Sequence, residues 1–338
     1  MSFDALLIVS FGGPEGMAEV MPFLENVLRG RNVPPERMRA VAKHYQLFGG
    51  VSPINEQNRN LIAALQQELA ANGPPLPIYW GNRNWHPLLA DTLAQMAADG
   101  IKNALAFVTS AYSSYSSCRQ YLENIALARD QVGQVGLSAP QVFKLRAFYN
   151  HPLFIEANTD RLQAALSTIP EARRVSTQIA FTAHSIPQSM ADNCRYESQL
   201  LETARLVSSG ANRASWRLVY QSRSGPPTQP WLGPDILDHL KELKDSGAAD
   251  VVIAPIGFVS DHMEVIYDLD TEARQFCDQT GLNMVRAATV GTHPLYIRMI
   301  RELILEWINP DSDRRFLGTQ GAKHDVCPAD CCITRFEK

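Results

Sequence analysis

Residues 250–273 read DVVIAPIGFVSDHMEVIYDLDTEA. The opening apolar run is too short for a helix and rich in β-branched residues, so it reads as a strand buried on both faces. A glycine and a polar loop follow, and then a helix bearing acidic residues. Residues 103–125, NALAFVTSAYSSYSSCRQYLENI, repeat that order of strand, polar loop and helix. Working outward, strand candidates fall at 5–11, 78–80, 104–109, 142–146, 179–183, 216–220, 251–256 and 284–287. Amphipathic helical patterns lie between them, at 59–71, 88–98, 155–166, 199–207, 236–246 and 294–307. Alternation of this kind indicates parallel α/β architecture. Four strands in each half give two doubly wound domains, 1–150 and 151–315, followed by a tail at 316–338 with no periodic pattern.

The chain has 338 residues, 45% hydrophobic and 20% charged, with a formal net charge of −4. A slightly acidic chain argues against a nucleic-acid binder, which needs a basic face. No apolar run approaches the ~18 residues that cross a bilayer. The N-terminus enters a strand pattern without a basic region or cleavage site, so the expected location is cytoplasmic. Of six cysteines, Cys327, Cys331 and Cys332 sit close together near the C-terminus. Without an export signal, that cluster favours metal ligation over disulfides.

In open parallel sheets ligands bind beyond the carboxyl ends of the strands, so the loops there carry the chemistry. The first, Phe11-Gly12-Gly13-Pro14-Glu15-Gly16, has the wrong glycine spacing for a dinucleotide fingerprint, and Pro14 removes a donor that a phosphate needs. A tight turn admitting a flat ligand fits it better. His184 ends the apolar strand 179–183. Its imidazole can take a proton or bind a metal near neutral pH, or it can be a core histidine satisfied by a backbone carbonyl.

Glu264, Asp268 and Glu272 are spaced i, i+4, i+8 and line one face of a helix. Such stacking costs about 0.2–0.5 kcal/mol per like-charged pair. The helix macrodipole accounts for Glu264 at the start, but not for Glu272 two turns on. A row of carboxylates leading toward a histidine suits a hydrated divalent cation, and mixed oxygen and imidazole donors suit ferrous iron. Residues 220–234, YQSRSGPPTQPWLGP, form a rigid loop whose Trp231 can stack on a planar ligand.

With these segments in place, the chain resembles the ferrochelatase family. IAFTAHSIPQSMADNCRY (179–196) is similar to the family's signature segment, and 220–234 and 255–273 match two further ones. HYQLFGGVSPIN (44–55) and LLIVSFGGPEG (6–16) match the N-terminal segments. The resemblance runs in order from about 6 to 307. It implies two Rossmann-like domains with a porphyrin cleft between them, His184 facing Glu264 across a metal site, and Asp268 and Glu272 behind Glu264 as a relay. On this basis His184 is the base that takes pyrrole protons, and Glu264 shares the metal.

The segment TSAYSSYSSCRQYLENI (109–125) is similar to the actinobacterial branch, whose product is iron coproporphyrin. That implies coproporphyrin III and ferrous iron as substrates in haem biosynthesis, with transient contacts to neighbouring pathway enzymes. Arg29, Tyr45, Ser52 and Tyr121 would hold the macrocycle and its propionates. Phe11 departs from members that place a product-ligating tyrosine there. The same branch implies a [2Fe–2S] cluster on Cys118, Cys327, Cys331 and Cys332, four thiolates being its usual complement. His324 is a substitute ligand, a zinc site is the inorganic alternative, and a tail without metal remains open. Cys194 and Cys277 read as small buried hydrophobes. Protoporphyrin IX as substrate, another tetrapyrrole chelatase, and a non-catalytic haem carrier are the rival functions.

Overall fold

A computed structural model describes residues 2–30, 33–226, 228–309 and 311–333. Eight strands form in chain order: β1 Ala5–Ser10, β2 Ile78–Asn82, β3 Asn103–Val108, β4 Gln141–Lys144, β5 Gln178–His184, β6 Arg217–Gln221, β7 Asp250–Ala254 and β8 Asn283–Arg286. They make two four-stranded parallel sheets, ordered β2-β1-β3-β4 and β6-β5-β7-β8. Both halves are thus wound alike, with the first strand of each half flanked on one side by the second and on the other by the third.

The central strands explain why the apolar runs were legible. All of β1 and all of β7 are buried, as parallel strands covered by helices on both faces must be. Outer strands β2, β4 and β8 are only partly buried. One core packs Leu7, Val9, Ala104 and Ala106 against Leu93, Met96 and Ile125. The other packs Val219, Val251 and Ile253 against Leu240, Leu269 and Cys277. Phe181 in β5 is fully buried, and its truncation to Ala would cost about 3–5 kcal/mol.

The chain divides into two units, 1–109 with 120–145 and 300–312, and 110–119 with 146–299 and 313–338. This differs from a linear division at 150 and 315. The helix Pro294–Ile308 begins in the second unit and ends in the first, so sequence position alone misassigns its last turns. The described part of the tail, up to residue 333, groups with the second unit. Leu317 N–H donates to the Asn150 carbonyl at 2.9 Å, Asn150 Nδ2 to Gly321 O at 2.8 Å, and Thr319 N–H to Glu202 Oε1 at 2.8 Å. Isolated hydrogen bonds of this kind leave no periodic mark in a sequence. Residues 334–338 lie outside the described part.

Helices Met17–Val27 and Pro35–Gln46 were not legible. Pro22 sits inside the first, where a missing N–H ordinarily argues against helix.

Candidate active site and a second cluster of ligands

In the second unit the sheet order reverses at β5 and β7: β6 is laid down on one side of β5, and β7 on the other. A crevice opens beyond the carboxyl ends of strands at such a switch point. His184 is the last residue of β5, and Glu264 stands in the first turn of the helix Met263–Tyr267 after β7. Gly257 lets the two loops approach. Its N–H donates to the Thr182 carbonyl at 3.0 Å, and a Cβ at this position would fall 2.5 Å from the Ala183 Cα.

The result is a compact polar group. His184 Nε2 lies 3.5 Å from Glu264 Oε1, and His262 Nδ1 lies 3.1 Å from Glu264 Oε2. His184 Nδ1 contacts the Ser185 carbonyl, which fixes the ring and leaves Nε2 toward the carboxylate. The side chains of His184 and Glu264 remain 32% and 48% exposed, so a ligand can reach them. Desolvation opposes charge on His184, but the hydrogen bond and charge of Glu264 outweigh it and raise the imidazole pKa above 6.5. Desolvation likewise opposes the Glu264 carboxylate, yet His262 and His184 together hold it down to about 2. For His262, burial wins and its pKa falls, favouring the neutral ring. His262 was not singled out from the sequence, although its position two residues before Glu264 was a usable signal.

Behind Glu264 the helix changes type. Residues Asp268–Ala273 form a π-helix between the α-helices Met263–Tyr267 and Arg274–Thr280. The expected spacing assumed α geometry, in which four residues overshoot one turn by about 40°. In the wider π turn four residues fall short of a full turn instead, so the drift accumulated from Glu264 to Asp268 is largely undone at Glu272; π segments recur at functional sites. Burial, with Glu264 and Glu272 adding to it, pushes the Asp268 carboxyl up to about 7, against the opposing Ser222 hydroxyl. Burial also raises Glu272, which accepts from Tyr267. Ser222 Oγ donates to Asp268 Oδ2, and Gln221 Nε2 donates to the Glu264 carbonyl at 2.8 Å. Ser222 takes φ 61°, a strained backbone for a non-glycine residue. Arg286 at the end of β8 pairs with Asp261 at 3.0 Å and Asp270 at 2.5 Å, tying the loop after β7 to the π-helix. Sequence patterns held no signal for Ser222, Gln221 or Arg286 in these roles.

Trp231 lines a cleft with Ser185, Arg223, Gln229, Leu232 and Asp235. Ser185 Oγ donates to the Leu232 carbonyl at 2.7 Å, which anchors the Trp231 loop beside the His184 strand end.

The first unit holds the four residues expected to grip the macrocycle. Arg29 is exposed and borders a cleft of about 520 Å³ with Glu25, Asn26, Trp85 and His86. Tyr45, Ser52 and Tyr121 are buried. Tyr45 packs edge-on against Phe23 at 5.9 Å between centroids, and Ser52 N–H donates to the Pro14 carbonyl at 2.8 Å. The guanidinium of Arg83 lies over the rings of both Tyr121, at 5.1 Å, and Phe11, at 5.5 Å. Of the four, three are thus buried and Arg29 is exposed, and the structure adds Arg83, which no motif marked.

A second cluster lies elsewhere in the second unit. His324, Cys327 and Cys331 present ligand atoms all within 4.8 Å of one another. Cys331 Sγ lies 3.6 Å from Cys332 Sγ. Burial raises the Cys332 thiol pKa, and the nearby Cys331, Cys118 and Cys194 raise it further. Arg119, next to Cys118, donates to the Ala329 carbonyl at 2.5 Å. Cys277 is buried in the core. Cys194 differs from the expected inert hydrophobe, since it is only partly buried and feels the charge of Cys331. The donor set departs from the four thiolates expected for a [2Fe–2S] cluster: His324 joins the converging group, and Cys118 does not. Among the described residues no helix is long and apolar enough to cross a membrane.

Comparison with solved structures gives the fold. A sirohydrochlorin chelatase from Bacillus subtilis subspecies spizizenii, in complex with cobalt, superposes with a TM-score of 0.54 at 10% identity, covering 94% of this chain and all of that one. Sequence relatives are much nearer. A ferrochelatase of Rhodopirellula baltica is 58% identical over 98% of this chain and 93% of its own length. Coproporphyrin III ferrochelatases of Streptomyces coelicolor and Frankia alni are 49% and 51% identical, each over 98% of this chain and over 94% and 86% of their own lengths. The ferrochelatase family model matches residues 3–308, which takes in both sheets and the histidine–carboxylate group. The chain belongs to the ferrochelatase family.

Proposed function

We propose that this protein inserts ferrous iron into coproporphyrin III, releasing two protons and forming iron coproporphyrin in haem biosynthesis. The observation that carries the reading is the His184–Glu264 pair at 3.5 Å, beyond β5 and β7, backed by the carboxylates of a π-helix. Metallation removes two pyrrole protons and strips water from the metal. Neutral His184 accepts a pyrrole proton at Nε2, and Glu264, ionised throughout the working pH range, offsets the imidazolium and shares the incoming ion. Asp268, with its carboxyl near 7, both takes and gives protons at neutral pH, and Glu272 extends the path. Ser222 and Gln221 hold this row in place.

The coproporphyrin assignment rests on the names of the Streptomyces and Frankia relatives and on cationic groups in the first unit. Propionates pair well with guanidinium groups. Arg29 is open to solvent, and Arg83 is held by two aromatic rings. Tyr45, Ser52 and Tyr121 would contribute hydroxyls after local side-chain movement, and Trp231 a stacking wall. Cytoplasmic location and transient contact with neighbouring pathway enzymes accompany this reading.

Anaerobic metallation with ferrous iron, run side by side on coproporphyrin III and protoporphyrin IX, tests it. A higher kcat/KM for coproporphyrin III is expected. Preference for protoporphyrin IX overturns the substrate but not the reaction. Binding of iron porphyrin without insertion into free-base porphyrin would instead make the protein a carrier.

A further inference from the structure

The tail cluster is separate in residues from the metallation group and goes beyond the function proposed above. Its three converging donors span eight positions, with His324 three residues before Cys327 and Cys327 four before Cys331. These intervals match the short spacings of structural zinc sites. The convergence itself discriminates between metal groups. In a [2Fe–2S] centre each iron takes two protein ligands, its other positions being filled by bridging sulfide, so three donors cannot share one iron. A single tetrahedral ion accepts all three. With Zn–S bonds of ~2.3 Å, neighbouring ligand atoms stand about 3.8 Å apart along a tetrahedral edge. The Cys331–Cys332 separation of 3.6 Å is close to that edge, although Cys332 does not join the group of three.

We propose that His324, Cys327 and Cys331 bind one zinc-class divalent ion, with Cys332 closing the tetrahedron on loading, and that this ion fixes the tail. The protein fabric around the site is already built. Asp325 pairs with Arg314, and the Ala329 carbonyl between the two thiols accepts from Arg119. The turn that carries Cys331 closes through its N–H to the Pro328 carbonyl at 3.0 Å. Cys332 takes φ 55°, which turns the chain between adjacent thiols. Cys118 and Cys194 lie in the surroundings of Cys332 and act as neighbours rather than ligands. Because ligand binding and folding are linked in such a site, loading should also stiffen the tail.

The test uses the full chain, purified anaerobically with reduced thiols and stripped of metal. Cobalt(II) serves as the spectroscopic probe, since a cobalt–thiolate charge-transfer band reports only cysteine ligation and is silent for the His184–Glu264 group. One equivalent of cobalt should give that band with tetrahedral visible absorption, and one equivalent of zinc should erase both. His324→Ala and Cys327→Ser should each weaken zinc binding by about tenfold or more, while Cys118→Ser leaves it unchanged. Zinc should also slow proteolysis of the tail in the wild type and not in Cys327→Ser. Two results overturn the proposal. One is absence of the charge-transfer band. The other is protein isolated with two irons and two inorganic sulfides, lost in Cys118→Ser and kept in His324→Ala. Neither would touch the reading of His184 and Glu264, which the metallation assay judges by itself.

Discussion

Replacing Gly257 by Ala tests the claim that backbone approach, rather than any side chain, sets the distance between His184 and Glu264. The added Cβ would lie 2.5 Å from both Cα and Cβ of Ala183. Non-bonded carbons rest at about 3.5–4.0 Å, so one of the loops must retreat by roughly 1 Å. Neither partner can swing aside, because Ala183 is fully buried in a central strand. The His184–Glu264 separation of 3.5 Å would open accordingly. Misplacement by about 1 Å can cost ~100-fold in rate. Overpacking of this size destabilises by about 1–3 kcal/mol, a modest shift in Tm for a chain of this length. The expected result is therefore a folded protein with kcat for ferrous insertion into coproporphyrin III reduced about 100-fold. Gly133→Ala is the control. Gly133 lies in the helix Gln120–Gln134 with nothing within 4 Å of the new methyl, so it should stabilise by about 0.4–1 kcal/mol and leave kcat unchanged. A Gly257→Ala enzyme with wild-type kcat would refute the argument that this contact sets the pair.

His184→Ala should abolish insertion while porphyrin binding, followed by fluorescence quenching, persists; full turnover would remove His184 as base. Glu264→Gln should lose far more activity than Glu272→Gln, and only the latter should recover partly at high ferrous iron, whereas equal losses would make the row an ordinary acidic face. In kcat/KM the acid limb should reflect deprotonation of His184, whose pKa stands above 6.5 because Glu264 outweighs desolvation. Glu264→Gln removes that support while desolvation stays, so the limb should move to lower pH, and a limb that stays put would assign it to another group. The stability counterpart has the opposite sense for the two partners. The His184 contribution is full below pH 6.5 and fades as pH rises through its raised value, while that of Glu264 is full above about 4.5 and fades toward about 2, as denaturant midpoints across pH should reveal.

Strands were legible because burial on both faces leaves continuous apolar runs, and β1 and β7 are such strands. His184 was legible because it ends one of these runs, and Glu264, Asp268 and Glu272 because ionised groups at regular spacing are costly and conspicuous. The π-helix was not, since α and π segments share the same carboxylate spacing and differ only in backbone closure. Gln221, Ser222 and Arg286 were hidden for another reason: each acts through a partner far away in sequence, Arg286 on Asp261 and Ser222 on Asp268. In the first unit, Tyr45, Ser52 and Tyr121 are buried while Arg29 is exposed. Resemblance names residue types at positions, and burial decides which way they face.

The repeated sheet order also explains why chemistry was readable in one half and obscure in the other. Both units end their first and third strands at a switch point, where loops open toward a crevice. In the second unit those loops carry His184, His262 and Glu264, whose perturbed charges depend on one another. Of these, His184 and Glu264 announced themselves in sequence, and His262 did not. In the first unit the loop after β1 carries Phe11, Gly12 and Gly13, and its cation is Arg83, held over Phe11 and Tyr121. Gly13 has no room for a side chain, because a Cβ would fall 2.7 Å from that of Ser52. On the proposed function, recognition there would rest on shape and on the oriented charge of Arg83 together with that of Arg29, which no spacing rule detects. Under that same proposal, one winding would supply a proton- and metal-handling crevice in one unit and a shape-reading crevice in the other. On this reasoning Arg83→Leu should raise KM for coproporphyrin III while leaving kcat nearly intact, because the guanidinium grips a propionate and takes no part in proton or metal transfer. A fall in kcat at unchanged KM, measured by steady-state metallation, would move Arg83 out of binding and into the chemistry.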